Sequence, residues 1–136
     1  MSLYGFPKKE HLCGKTNFQL LFKEGSSYYV PSFRLVCRNV PSGSPGIQVG
    51  VVVSKRVLRH AVDRNRVKRL MREAYRLRKP VLQAMLEGNP YQWQLLFVYT
   101  GHGTPDFAPV QSAINVLLSK WLKKLTHETE KKSVTE

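Results

Sequence analysis

Acidic residues are scarce in this chain: its 136 residues include 9 Asp and Glu against 22 Lys and Arg, which gives a formal net charge of +13. Such an excess of cations is typical of proteins that bind polyanions, and a phosphate backbone is the commonest polyanion. The few carboxylates are also scattered along the sequence, whereas a two-metal nuclease needs several clustered Asp or Glu ligands. The 4 His residues show no metal-ligand spacing either. We therefore predict no metal site, no bound cofactor and no catalytic residue in the polypeptide.

Cysteine and long apolar runs are scarce as well. Cys13 and Cys37 are too few and too far apart for a disulfide framework or a CxxC metal site, and nothing like a signal peptide precedes them. The longest apolar runs, at residues 49–53 and 95–99, are far shorter than the ~20 residues that span a bilayer. These absences exclude an inserted membrane protein and predict a cytoplasmic one. With 42% hydrophobic residues, the chain should fold as a single domain.

Hydrophobic periodicity predicts seven elements in the order α, β, β, β, α, β, α. Helices are predicted at residues 15–24, 63–78 and 106–125, and strands at 28–30, 33–38, 47–54 and 93–100. We expect Asp63 and Asp106 to cap the second and third helices, and Pro80 to end the second, with a separate short helix at 81–86. The polar segment 126–136 is expected to be a disordered tail, which leaves one domain at 1–125. The predicted fold class is α+β, a sandwich of sheet and helices.

The strand predicted at residues 33–38 has two chemically different sides. Phe33, Leu35 and Cys37 alternate along it with Arg34, Val36 and Arg38. Because successive side chains of a strand point to opposite faces, one face should be buried and the other wet and basic. We call the side that carries Arg34, Val36 and Arg38 the basic face, and it offers a surface for a ligand.

Half of the 22 Lys and Arg lie within residues 55–79. In the predicted helix, four of them recur at i, i+4 spacing and form a ladder of cations about one turn apart: Arg64, Lys68, Arg72 and Arg76. A stripe of charge usually means a solvated helix face. Only Asp63 and Glu73 oppose these charges within the segment, and so little compensation favours a polyanion-binding surface.

The segment from Ala61 to Arg72 reads A-x-x-R-N-R-V-K-R-L-x-R. It resembles the signature of the bacterial ribonuclease P protein subunit. The resemblance continues through VVVSKR at residues 51–56 and through F-Q-x-x-F-K-x-G, which begins at Phe18, and it spans about residues 8–124 in the same order of elements. A motif of this length is a poor candidate for a chance match.

The resemblance implies a fold and a function. The family fold is an αβββαβα sandwich with a mixed sheet and an unusual left-handed βαβ crossover around the basic helix, against the general right-handed rule. Ribonuclease P is an endonuclease, a hydrolase that removes the 5′ leader of precursor tRNA. Its RNA subunit is the catalyst and uses Mg²⁺, and its protein subunit is a monomeric part of a ribonucleoprotein. The expected partners are therefore that RNA and precursor tRNA.

Two sets of residues follow from the resemblance by position. Contacts with the catalytic RNA are expected from Lys55, Arg56, Arg64, Asn65, Arg66 and Lys68. The single-stranded leader is expected in a cleft between the first helix and the basic face, lined by Phe18, Phe22, Arg34, Val36, Arg38, Arg69 and Arg72. Aromatic stacking in a basic groove suits a single strand of variable sequence. The family often has a tyrosine where Val36 stands, and many relatives have glycine and asparagine in the loop that here contains residues 58–60.

Several alternatives stay open at this point. Asn65 either contacts RNA or braces the loop before the helix. Phe18 and Phe22 are either core residues or stacking surfaces, and His102 between two glycines is either a turn residue or a functional one. The whole protein is alternatively an RNA-binding module of the ribosomal-protein kind, or a stand-alone protein nuclease.

Overall fold

The computed structural model describes residues 22–23, 25–40, 46–85 and 92–134. Within them lie the strands β1 (Ser26–Val30), β2 (Phe33–Val40), β3 (Gly46–Val53) and β4 (Gln92–Tyr99), and the helices α1 (Ala61–Met85) and α2 (Phe107–Val134). The strands form one sheet in the order β1-β2-β4-β3. Strands β3 and β4 are parallel, and the other neighbours are antiparallel. A mixed sheet packed by helices confirms the predicted α+β class.

The structure describes two predicted features of the topology only in part. Of the first predicted helix, residues 15–24, the structure describes Phe22 and Lys23, and both are helical. Helix α1 connects the parallel neighbours β3 and β4, so the three elements form the predicted βαβ unit. The left-handed sense of that crossover stays a prediction.

Both helices pack on the side of the sheet opposite the basic face, which we call the packed face. Leu35, Phe97 and Val51 lie side by side across β2, β4 and β3 and are at most 7% exposed. The Tyr75 ring of α1 lies 6.4 Å from the Phe97 ring, and Trp121 of α2 packs in the same core. The predicted alternation is thus confirmed on this side, and the main core lies between the sheet and the helices.

Helix α1 differs from the prediction at both ends. Its first turn begins earlier, since the N–H of Arg64 donates to the carbonyl of His60 at 3.1 Å. Asp63 therefore lies inside the first turn and not at the cap, although a carboxylate there still interacts favourably with the helix dipole. The helix also continues through Pro80 to Met85. The predicted break at Pro80 and the separate helix at 81–86 are wrong.

Burial explains why the proline does not end the helix. A proline inside a helix costs about 3 kcal/mol, because it lacks an N–H and crowds the preceding turn. Leu82, two residues after Pro80, is fully buried in the main core. Burying a leucine contributes about 1.5–3 kcal/mol. Packing of the last turn therefore offsets the local penalty at Pro80.

Helix α2 begins at Phe107, directly after Asp106 as predicted, but it extends to Val134, beyond the predicted end at residue 125. The sequence places Glu128 four residues before Lys132, a spacing that favours a helix. The domain limits of 1–125 and the tail at 126–136 stay predictions. Within the described residues, neither helix contains a stretch apolar enough to cross a membrane.

A tight turn at Pro31 and Ser32 joins β1 to β2. Ser32 has a φ of 71°, which after a proline is typical of a type II turn. The carbonyl of Ser32 accepts a hydrogen bond from the N–H of Thr100 at 2.8 Å. A Cβ on Gly101 would lie 2.7 Å from the Ser32 side chain, so only glycine permits this approach. The hairpin is therefore fixed to the end of β4.

Candidate nucleic-acid interface

The loop between β3 and α1 carries exposed cations. The N–H groups of Val57 and Leu58 both donate to the carbonyl of Ser54 at 3.1 Å, which makes a tight turn directly after β3. Leu58 is 7% exposed and anchors the loop in the main core. Lys55 and Arg56 are exposed to solvent at the same turn. The local structure therefore presents both of these predicted RNA contacts outward.

Arg64 holds this loop to the start of α1. Its Nη1 donates to the carbonyl of Leu58 at 3.0 Å and to the carbonyl of Arg59 at 2.8 Å. The sequence predicted an RNA contact at Arg64 and gave no sign of this bracing role. The two bonds use one amino group of a guanidinium that carries five N–H donors. A phosphate contact from the same side chain remains compatible with them.

The predicted ladder of cations along α1 is only partly accessible. Of Arg64, Lys68, Arg72 and Arg76, Arg72 is exposed and the other three are half-buried. Nε of Arg76 donates to Oε2 of Glu73 at 2.9 Å within an ion pair. This hydrogen bond lowers the pKa of the Glu73 carboxyl below its ordinary value. Arg76 is therefore engaged by a carboxylate of its own helix and contributes less than the other cations to a surface for phosphates.

The accessible polar residues of the motif follow a different spacing. Arg66, Arg69 and Arg72 recur every third residue and are exposed, and Asn65 is exposed beside them. Val67 of the same motif is fully buried against the sheet and holds the helix in place. Cations this close together repel one another in the absence of a partner, so the row is a suitable surface for regularly spaced phosphates.

The centre of the basic face is apolar. Val36 and Leu96 are paired in register across β2 and β4 and are 1% and 0% exposed. They form a second hydrophobic cluster, against which Val52 and Val98 pack. The prediction that Val36 lies on a wet surface is therefore wrong, since its side chain is buried in contact with this cluster. The polar groups of this face surround the apolar centre.

A row of polar side chains crosses the basic face on one side of the cluster. Nε of Arg38 donates to Oε1 of Gln94 at 2.9 Å, and Nε2 of Gln94 lies 3.4 Å from Oε1 of Gln48. The row runs across β2, β4 and β3 in register. Amides can bond to base edges and sugar hydroxyls. The sequence reasoning missed Gln48 and Gln94. Only the strand pairing shows that both lie on the same face as Arg38, because Gln94 is the register partner of Arg38 and of Gln48.

On the other side of the cluster, Arg34 lies between two aromatic rings. Its Cζ is 5.4 Å from the centre of the Phe22 ring and 5.6 Å from the centre of the Tyr29 ring, both within cation–π range. Nη2 and Nε of Arg34 lie 2.9 Å and 3.3 Å from Oγ of Ser27. The sequence reasoning missed Tyr29 and Ser27, because the predicted strand began at Tyr28 and its alternation was not extended.

The structure brings together part of the predicted leader-binding set. Phe22, Arg34, Val36 and Arg38 share the basic face or contact it. Arg69 and Arg72 lie on α1, in the helical layer on the other side of the sheet. Phe18 lies outside the described residues. The candidate interface therefore consists of the basic face and the exposed row on α1.

Within the described residues, no group of three His, Cys, Asp or Glu side chains is placed to hold a metal ion. His102 is exposed in the bend after β4. Its carbonyl and that of Gly103 each accept a hydrogen bond from the Tyr99 hydroxyl at 2.9 Å. This geometry favours the turn interpretation of His102.

Comparison with known proteins identifies the family. The family model for Ribonuclease P matches residues 6–122. The chain is 40% identical to the ribonuclease P protein component of Dictyoglomus thermophilum over 124 residues, which cover 90% of this chain and 94% of that protein. It is 35% identical to the ribonuclease P protein component of Porphyromonas gingivalis over 112 residues, 82% of each chain. The chain therefore belongs to the ribonuclease P family, as the motif predicted.

The fold agrees with that assignment. The structure is similar to the RNase P protein of Staphylococcus aureus, with a TM-score of 0.65 at 20% sequence identity. The match covers 81% of this chain and 93% of that one. At this level of identity the likeness shows a shared fold.

Proposed function

We propose that this chain is the protein subunit of a ribonuclease P. In this role it binds the catalytic RNA and the 5′ leader of precursor tRNA and assists the endonucleolytic removal of the leader, in the cytoplasm and as a monomeric protein within a ribonucleoprotein. The RNA subunit, with Mg²⁺, breaks the phosphodiester bond. The polypeptide contributes charge neutralisation and positioning, and none of its side chains takes part in the chemistry.

The observation that carries this proposal is the exposed row Arg66, Arg69 and Arg72. The acids nearest to it in sequence are Asp63, in the first turn, and Glu73, which is engaged by Arg76. Among the described residues, neither acid is paired with this row, which therefore keeps its positive charge. Arg binds phosphate through a planar fork of donors, and each phosphate that is neutralised releases counterions.

The two predicted binding surfaces have different chemistry, which supports two different roles. The loop after β3 and the start of α1 present the exposed cations Lys55, Arg56 and Arg66 together with Asn65, which suits the phosphates of a folded RNA. The basic face combines Arg34 and Arg38 with the exposed rings of Phe22 and Tyr29, which suits an unpaired strand. We assign the first surface to the catalytic RNA and the second to the leader. The predicted leader contacts Arg69 and Arg72 lie on α1, away from the basic face, and stay a prediction.

The test is reconstitution of the holoenzyme with the cognate RNA and the variant Arg56→Gln plus Arg66→Gln. Arg64 is left in place because its loss would also release the loop that it braces. We expect weaker binding of the RNA and a slope of log affinity against log salt that is shallower by about 0.7–0.9 for each phosphate contact removed. The control is Lys123→Gln, an exposed cation on α2. If Lys123→Gln weakened RNA binding as much per charge removed as Arg56→Gln plus Arg66→Gln, the proposal would be contradicted.

The same preparations separate the alternatives. A ribosomal-protein-like RNA binder would not increase the processing of precursor tRNA by the catalytic RNA. A protein nuclease would cleave precursor tRNA in Mg²⁺ without any RNA subunit and would lose that activity in a carboxylate variant such as Asp63→Asn. We expect a protein-dependent gain in processing and no cleavage by RNA-free protein.

A further inference from the structure

We infer that Tyr29 is a stacking platform for one base of the single-stranded leader, and that Arg34 is the positioning residue that holds the platform. This inference rests on the proposed function, because it adds a residue to the surface that binds the leader. Neither the predicted leader-binding set nor the family motif includes Tyr29.

Exposure singles out this side chain. Tyr29 is 61% exposed and Phe22 is 45% exposed. In the part of the chain that the structure describes, they are the only aromatic side chains among the exposed large hydrophobic residues, and both contact the same guanidinium. Two exposed aromatic rings beside one cation are the combination that binds unpaired bases, because every base has a π face.

The backbone under Tyr29 is fixed. Its carbonyl accepts a hydrogen bond from Nζ of Lys120 at 2.8 Å, which ties the edge strand β1 to α2. Three residues further on, the carbonyl of Ser32 accepts a hydrogen bond from Thr100, and its side chain packs against Gly101. A ring on a fixed strand loses little conformational entropy when a base stacks on it, so this platform is preorganised.

Arg34 fixes the ring itself. Ser27 binds its Nε and Nη2, so the guanidinium is oriented before any ligand arrives. The Tyr29 ring has this guanidinium on one side and is still mostly exposed, so its other side is the accessible one. The bonds to Ser27 leave Arg34 suited to hold two rings and less suited to follow a mobile phosphate.

The centre of the basic face cannot supply the stacking surface. Val36 is 1% exposed and has no π system, and Leu96 beside it is fully buried. Tyr29 lies in the adjacent row, since its register partner on β2 is Arg34 and that of Ser27 is Val36. A leader that crosses this face therefore meets an aromatic surface at its β1 edge.

The test measures the affinity of the reconstituted holoenzyme for precursor tRNAs that carry one abasic nucleotide at successive leader positions. In the wild-type holoenzyme, we expect one position at which removal of the base weakens binding about tenfold, which corresponds to ~1.4 kcal/mol. Tyr29→Ala should weaken binding of the intact substrate by a similar factor, and the abasic substitution should then have no further effect. Tyr29→Phe should bind like the wild type.

Three comparisons make the result specific. Tyr29→Leu keeps apolar area without a π face and should behave like Tyr29→Ala. The salt dependence should not change in either variant, because stacking releases no counterions. Arg34→Lys keeps the charge but not the fork, and it should give a partial loss confined to the same leader position. Val116→Ala, which truncates an exposed side chain of α2, is the control and should have no effect.

The inference would be overturned if the Tyr29→Ala or the Tyr29→Leu holoenzyme bound intact precursor tRNA as tightly as the wild type does. If the wild-type holoenzyme does not distinguish precursor tRNA with a leader from precursor tRNA without one, the proposed function itself is wrong. The two failures are therefore distinguishable in one set of measurements.

Discussion

The two faces of the sheet use the same strands for different purposes. On the packed face, Leu35 and Phe97 are fully buried beneath the helices. One residue away, Arg34 is half-buried on the basic face, where a hydroxyl and two aromatic rings hold it. Because side chains alternate along a strand, stability and proposed binding are separated at single-residue resolution. The same separation applies within α1, where Val67 packs inward and Arg66 faces solvent.

The largest expected difference is between the neighbours Leu35 and Arg34. Leu35→Ala should lower the free energy of unfolding by about 2–5 kcal/mol, because it leaves a cavity in the main core. Arg34→Ala should lower it by about 1 kcal/mol, the loss of its bonds to one hydroxyl. Urea denaturation of both variants measures the difference. Similar losses would mean that the two faces are not separated in function.

A smaller difference is expected between Arg64 and Arg66. Arg64→Ala should destabilise the fold by about 1–2 kcal/mol, since it removes two hydrogen bonds to loop carbonyls, one of them at an exposed position. Arg66→Ala should leave stability within about 0.5 kcal/mol of the wild type, because the side chain is exposed. Urea denaturation combined with RNA affinity measures both effects. An equal loss of stability would remove the bracing role of Arg64.

The pH dependence of stability tests whether the Tyr99 hydroxyl is buried on the packed face. Burial raises the pKa of Tyr99 above its ordinary value of 10.0, so its contribution to stability is complete below pH 10 and is lost as the pH rises through the folded-state pKa. Tyr99→Phe should be about 1 kcal/mol less stable at pH 7, because the two carbonyls lose their donor. The gap between variant and wild type should narrow above pH 10. A gap that stays constant to pH 11 would contradict the burial of the hydroxyl.

The smallest effect is expected for the ion pair on α1. Arg76 lowers the pKa of Glu73 below its ordinary value of 4.5, so the pair stabilises the fold above that pH, and this contribution is lost as the pH falls through the folded-state pKa. The side chains are 33% and 43% exposed, and solvent screening limits the contribution to about 0.5 kcal/mol. Glu73→Gln should show this loss at pH 7 and a progressively smaller one as the pH falls below 4.5. A larger loss would show that Arg76 is less available to RNA than its exposure indicates.

Much of the fold was predictable because its local signals agree with its tertiary packing. The alternation along β2 predicted the packed face, and hydrophobic periodicity predicted a helix between β3 and β4. Prediction failed where tertiary contacts override local preference. Burial of Leu82 carries α1 through Pro80. Val36 is buried in a cluster with Leu96 of β4, which no property of residues 33–38 alone could show.

The candidate site was predictable by residue type but not by geometry. The motif identified the cations, and their i, i+4 spacing predicted one continuous ladder along α1. In the structure, Arg64 and Arg76 of this ladder instead bind groups of the protein itself. Tyr29 and Gln94 became visible only through the register of β1 and β4 with β2. Such pairings join residues far apart in sequence, so one sequence does not reveal them.

The most direct test of the central claim is the affinity of precursor tRNA, with and without its leader, for the catalytic RNA alone and for the holoenzyme. If the basic face holds the leader, the protein should increase affinity for the leader-bearing substrate well beyond any increase for the leaderless one. An equal increase for both substrates would contradict the account.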